Sequence, residues 1–78
     1  MKDKLQGQVV CFTGKSKLTR PNMEKLALAN GARISKNISK ATTLLVMGLR
    51  PGSKLDRAFS QGIKLMVDDE FFALLGDL

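Results

Sequence analysis

The 78-residue sequence has no histidine, no tryptophan and no tyrosine, and it contains one cysteine and two prolines. Without histidine, and with Cys11 inside an apolar run, it lacks the usual acid–base and nucleophilic side chains of enzymes. A single cysteine forms no internal disulfide and fits a reducing, intracellular setting. No apolar run approaches the ~20 residues that a membrane helix needs, and no signal-peptide core follows Met1 to Lys4. We therefore expect a non-enzymatic domain with no cofactor, metal, small-molecule substrate or membrane partner.

The charges that are present are unevenly distributed. The net charge is +6, all thirteen Lys and Arg residues lie at or before Lys64, and four of the seven acids follow it. The length suits one small domain over residues 1–78. Its body is therefore more basic than the total suggests, which favours a polyanionic partner, most commonly nucleic acid. The alternative is that these cations form an ordinary solvated, soluble surface that binds no partner.

The stretch Val9–Lys15 organises the sequence. Its first residues are apolar and predict a strand, Val9–Thr13, that is buried on both faces as in a parallel sheet. The residues that come next suit a phosphate: Thr13 supplies a hydroxyl, Gly14 lets the backbone approach a ligand closely, and Lys15 adds a positive charge. The alternative is an ordinary Thr-Gly turn. A nucleotide-hydrolysing P-loop is rejected, because its first glycine would fall at Val9, inside the strand.

The rest of the sequence predicts an α/β domain. Thr19 caps a helix that runs to about Asn30, Ser53 caps a second helix, and Asp68-Asp69-Glu70 opens a third. Helix capping explains that acidic triplet better than a metal site does. The buried faces are expected to comprise Leu55, Ala58 and Phe59 in the second helix and Phe71, Leu74 and Leu75 in the third. The remaining strands are predicted at Arg33–Ser35, Thr42–Met47 and Ile63–Val67.

Taken together, short motifs along residues 5–75 resemble those of the BRCT domain family. In chain order they are Leu5-x-Gly7, Val10-x-Phe12-Thr13-Gly14, Arg20, Asn30-Gly31-Ala32, Ser39-Lys40-x-Thr42-Thr43-x-Leu45-Val46, Gly52-Ser53-Lys54-x-x-x-Ala58, Gly62-Ile63-x-Leu65 and Glu70-Phe71. The family's frequent tryptophan in the third helix is absent, and Phe71 or Phe72 takes its place. The sequence thereby looks more like the type found in bacterial NAD-dependent DNA ligases and in the clamp-loader large subunit.

This resemblance implies a three-layer fold and a binding site. The implied fold is a four-stranded parallel sheet of order 2-1-3-4, with the first and third helices on one face and the second on the other. In the implied phosphate pocket, Thr13 donates its hydroxyl, Gly14 its backbone N–H and Lys54 its charge. Arg20 matches a basic residue used by members that bind DNA ends. With Lys15, these residues form the expected phosphate- and DNA-binding set.

The resemblance leaves two binding functions open. The first is a non-catalytic module of DNA replication or repair that recognises a 5′-phosphorylated end or a nick, as part of a ligase or another DNA-processing protein in the bacterial cytoplasm, associated with the nucleoid. The second is a protein-interaction module that reads a phosphopeptide. The same pocket would serve both, and the excess of basic residues favours DNA.

Overall fold

The computed structural model describes residues 4–76, so both ends of the expected 1–78 domain lie outside the described residues. Strands and helices alternate along the chain except between β2 and β3, which follow each other directly. The elements are β1 (Val9–Thr13), α1 (Arg20–Ala29), β2 (Arg33–Ile34), β3 (Leu44–Met47), α2 (Ser53–Ser60), β4 (Lys64–Val67) and α3 (Asp68–Leu75).

The four strands form one parallel sheet of order β2-β1-β3-β4, which confirms the fold expectation. The register aligns Cys11 of β1 with Leu45 of β3, and Leu45 with Leu65 of β4. Because all strands run the same way, their carboxyl ends meet at one edge of the sheet, which we call the carboxyl edge. The chain passes from this edge into all three helices, and α3 begins directly after β4.

Alternate residues of β1 and β3 enter two separate cores, because side chains along a strand point to opposite faces. Val10 and Phe12 pack with α1 and α3, whereas Cys11 and Leu45 pack with α2. The first and third helices therefore share one face and the second covers the other, as expected. Val10, Cys11 and Phe12 are at most 4% exposed, which confirms that the first strand is buried on both faces.

The prediction that Phe59 and Leu74 belong to the buried core was wrong. Phe59 is 76% exposed and Leu74 is 40% exposed, although their neighbours Ala58 and Leu75 are buried. In α2 and α3, the part of the helix surface that packs on the sheet is narrower than the spacing of the apolar residues predicted. The side chain next to a buried position then points to solvent.

The ends of several elements also differ from expectation. The second strand is one residue shorter than Arg33–Ser35, the third begins at Leu44 and the fourth at Lys64. Ser53 is the first helical residue of α2 and not its cap, a position that Gly52 occupies with φ +71°. Thr19 does stand at the cap of α1, but its side chain makes no capping hydrogen bond there.

Candidate functional site

The site begins where β1 ends at the carboxyl edge. Thr13 is 9% exposed, and its hydroxyl donates to the carbonyl of Pro51, just before α2. Gly14 follows with φ +78°, and a Cβ there would come within 2.6 Å of the Leu49 carbonyl oxygen. Within residues 4–76, no hydrogen-bond acceptor contacts the Gly14 N–H. The backbone here is thus tightly packed on one side and carries a free donor.

A backbone bridge fixes the loop after β1. Lys15 N–H donates to the Leu49 carbonyl at 2.9 Å, and Leu49 N–H donates back to the Lys15 carbonyl at 2.7 Å. A side chain at Gly48 would overlap the Lys15 carbonyl, so this close approach requires glycine. The Lys15 side chain itself points outward and is exposed. The bridge therefore holds the loop while leaving its charged side chain available.

Arg20 approaches the same loop from the start of α1. Its Nη2 donates to the Gly14 carbonyl at 3.2 Å, and its side chain is exposed. Thr13, Gly14, Lys15 and Arg20 all line one cleft of about 280 Å³ between β1 and α1. The structure thus brings four of the five expected site residues to a single concave surface.

Lys54 reaches the end of β1 from the first turn of α2. Its ammonium donates to the Lys36 carbonyl at 2.9 Å and to the Phe12 carbonyl at 3.3 Å, and its side chain is half-buried. It does not line the cleft. Because Phe12 is two residues before Gly14, Lys54 nevertheless lies at the same strand end, with both of its hydrogen bonds made to backbone carbonyls.

Residues that the sequence reasoning missed also shape this loop. The Ser16 hydroxyl donates to Asp68 Oδ2 at 2.8 Å and so ties the loop to the first residue of α3. Lys17 Nζ lies 4.6 Å from the centre of the Phe72 ring, a cation–π contact. Ser16 and Asp68 are 52 positions apart, and only the parallel order of β1, β3 and β4 brings them together. No local pattern could have revealed this pair.

Within residues 4–76, no group of three or more Cys, Asp or Glu side chains is placed to hold a metal ion. In the same residues, no helix is long and apolar enough to cross a membrane. The acids Asp68, Asp69 and Glu70 form the first turn of α3, where Glu70 accepts from the Val67 N–H, as expected for helix capping.

The fold and the cleft at the carboxyl edge define a small three-layer α/β module, and the family comparison identifies it. The model of the BRCA1 C Terminus (BRCT) domain family matches residues 2–75. The chain therefore belongs to the BRCT domain family.

Bacterial DNA ligases are among its curated relatives. It is 45% identical over 74 residues to the DNA ligase of Petrotoga mobilis, covering 94% of this chain and 11% of that protein. It is 44% identical over 72 residues to the DNA ligase of Nitratidesulfovibrio vulgaris strain Hildenborough, covering 91% of this chain and 9% of that protein. The chain thus spans about a tenth of the length of these relatives.

Solved structures share the fold at low sequence identity. The crystal structure of Rad4 BRCT1,2 in complex with a Crb2 phosphopeptide matches with a TM-score of 0.83 and 20% identity, covering 97% of this chain and 42% of that one. The solution structure of the BRCT domain of human REV1 matches with a TM-score of 0.67 and 17% identity, covering 88% and 70%.

Proposed function

We propose that this BRCT domain is a non-catalytic DNA-binding module that recognises 5′-phosphorylated ends or nicks, as a segment of a bacterial DNA ligase acting in the cytoplasm at the nucleoid. The supporting observation is the free Gly14 N–H at a strand end flanked by the cations of Arg20 and Lys54. Backbone donors next to positive side chains favour a terminal phosphate over a bridging one, because the terminal group carries more charge and more free oxygens.

Binding requires two local rearrangements. The Thr13 hydroxyl now donates to Pro51 and the Lys54 ammonium to Phe12 and Lys36, so each must share or exchange a carbonyl for a phosphate oxygen. A phosphate offers only acceptors at neutral pH, and a charged acceptor binds a donor more strongly than a neutral carbonyl does. The charge of the phosphate therefore favours the exchange.

The test compares matched duplexes with and without a 5′-phosphate by fluorescence anisotropy. Lys54→Ala should weaken binding to the phosphorylated duplex by about 1.5–3 kcal/mol, as for a charge-assisted hydrogen bond, and Thr13→Val by about 1 kcal/mol. Binding to the 5′-hydroxyl duplex should change little, because the lost contact is absent there.

The matched control is Arg57→Ala. Arg57 is also a cation of α2, but its exposed side chain makes no hydrogen bond to the described residues. Lys2, which the sequence suggests as a control remote from the pocket, lies outside the described residues. Equal losses on both duplexes for Lys54→Ala would show only diffuse charge attraction and would refute recognition of the end.

Phosphopeptide binding is the second candidate. The observation that favours it is the Rad4 neighbour, which is in complex with a phosphopeptide and has a TM-score of 0.83 to this chain. That neighbour is only 20% identical, whereas the net charge of +6 favours a polyanion. A phosphopeptide library measured beside the phosphorylated duplex discriminates the two. Tighter binding of a phosphopeptide than of DNA would replace the first proposal.

A further inference from the structure

The cleft at Gly14 is lined by apolar side chains as well as by the expected phosphate-binding residues. Its floor consists of side chains of the apolar core, namely Phe12, Met23 and Val46, each at most 4% exposed. Leu18, which is partly buried, also lines it, and Arg20 lies at its exposed rim. The cleft is thus apolar at its base and charged at its opening.

The geometry separates this cleft from Lys54. The Lys54 ammonium lies against the Phe12 and Lys36 carbonyls and is not part of the cleft lining. A phosphate that contacts both Lys54 and the Gly14 N–H therefore lies at the end of the strand. Because Thr13 and Gly14 also line the cleft, such a phosphate occupies one end of it and leaves the part along α1 for the next chemical group of the ligand.

We propose that this cleft receives the 5′-terminal nucleoside of a DNA strand whose phosphate is bound at Gly14; this rests on the proposed function. At about 280 Å³, the cleft is close to the lower end of the ~300–1,000 Å³ range of small-molecule pockets. An unpaired base presents two flat, largely apolar faces, which pack well on apolar side chains. The rim cations Lys15 and Arg20 complement the phosphates on either side of such a nucleoside.

Insertion of a nucleoside requires that its base leave the duplex. Unpairing is least costly for a nucleotide that is already single-stranded. The domain should therefore prefer a 5′-phosphorylated end with one unpaired terminal nucleotide over a blunt end. A continuous strand cannot enter in the same way, so the cleft adds selectivity for ends to the charge attraction that all DNA provides.

The experiment measures anisotropy on duplexes that carry a one-nucleotide 5′ overhang. The terminal residue is either a normal nucleotide or an abasic one, each with a 5′-phosphate or a 5′-hydroxyl. The parent protein should bind the phosphorylated end about threefold to tenfold more tightly when the base is present, since the base adds apolar contact area. A terminal 2-aminopurine should change its fluorescence on binding, because its stacking environment changes.

Two variants of Leu18 assign that preference to the cleft. Leu18→Ala removes apolar wall and Leu18→Phe fills the space, and both should abolish the preference for the base while keeping the preference for the phosphate. Lys54→Ala should do the reverse. Leu28→Ala is the matched control, because Leu28 is an exposed leucine of α1 that does not line the cleft. Circular dichroism establishes that each variant is folded.

The outcomes separate this inference from the proposed function. Equal binding of normal and abasic ends by the parent, with the phosphate preference intact, would overturn the nucleoside site alone. Absence of any phosphate preference would overturn both. A phosphopeptide that binds more tightly than the DNA end, and that loses affinity in Leu18→Ala, would assign the cleft to a peptide side chain and refute the nucleoside.

Discussion

The two faces of the sheet are built differently. The α1 and α3 face has a large continuous core, in which Phe71 lies with its ring centre 5.5 Å from that of Phe12, edge to face. The α2 face has a smaller core, and Ala58 is the only side chain of α2 that is buried. The first face therefore contributes most of the apolar burial, and the second is held by fewer contacts.

The difference bears on function because Lys54 belongs to the lightly packed helix. Its ammonium donates to the Phe12 carbonyl of β1 and to the carbonyl of Lys36, which lies shortly after β2, and so joins α2 to both. A ligand that competes for this ammonium would loosen the same attachment that orients it. Elements with little buried apolar surface open at lower free-energy cost than the core does. The protein thus combines a heavily packed face with a lightly packed one.

The largest expected effect on the free energy of unfolding is seen when a phenylalanine of α3 is compared with one of α2. Phe71→Ala should lower the free energy of unfolding by about 3–5 kcal/mol, because it leaves a cavity in the larger core. Phe59→Ala should change it by less than about 0.5 kcal/mol, because that ring is mostly exposed. Urea denaturation followed by circular dichroism measures both. Similar losses for the two variants would mean that α2 packs as tightly as α3 and would remove the contrast.

A smaller effect concerns the polar attachment of α2. Lys54→Ala should lower the free energy of unfolding by about 1–2 kcal/mol, because two hydrogen bonds from a half-buried ammonium are lost. Arg57→Ala, on the same helix, should change it by no more than about 0.5 kcal/mol. Thermal and urea unfolding provide the values. If the two variants lost the same free energy of unfolding, the ammonium would contribute nothing to holding α2, and only its role in binding would remain.

The smallest effect concerns the corresponding polar link on the other face. Ser16→Ala removes the hydrogen bond to Asp68 and should cost about 1 kcal/mol or less, because packing of Phe71 and Phe72 already holds α3. Asp68→Asn should cost about as much as Ser16→Ala, because its single amide oxygen can accept from the Ser16 hydroxyl or from the Asp69 N–H, which now bond to different carboxylate oxygens. Urea midpoints rank the two variants. A loss for Ser16→Ala larger than for Lys54→Ala would reverse the comparison between the faces.

Much of the fold was predictable from local patterns. The apolar runs around Val10 and Leu45 predicted strands buried on both faces, and Pro21 near the start of α1 and Gly31 after its end predicted the helix limits to within one residue. The strand order came from the family resemblance, because periodicity does not determine which strands are neighbours. The exposed Phe59 was missed, because helical spacing shows which residues share a face but not how much of that face is covered.

The sequence by itself determined the alternation of strands and helices, the basic character of the domain and the presence of Thr13, Gly14, Arg20 and Lys54, since these follow from residue type and spacing. Only the tertiary structure decided that the Ser16 hydroxyl contacts Asp68, that Gly48 admits the Lys15 carbonyl, and that a cleft with an apolar floor adjoins the strand end. The physical reason is that parallel pairing brings the carboxyl ends of distant strands to one edge. The contacts of Ser16 with Asp68 and of Lys17 with Phe72 join residues 52 and 55 positions apart, which no local periodicity encodes.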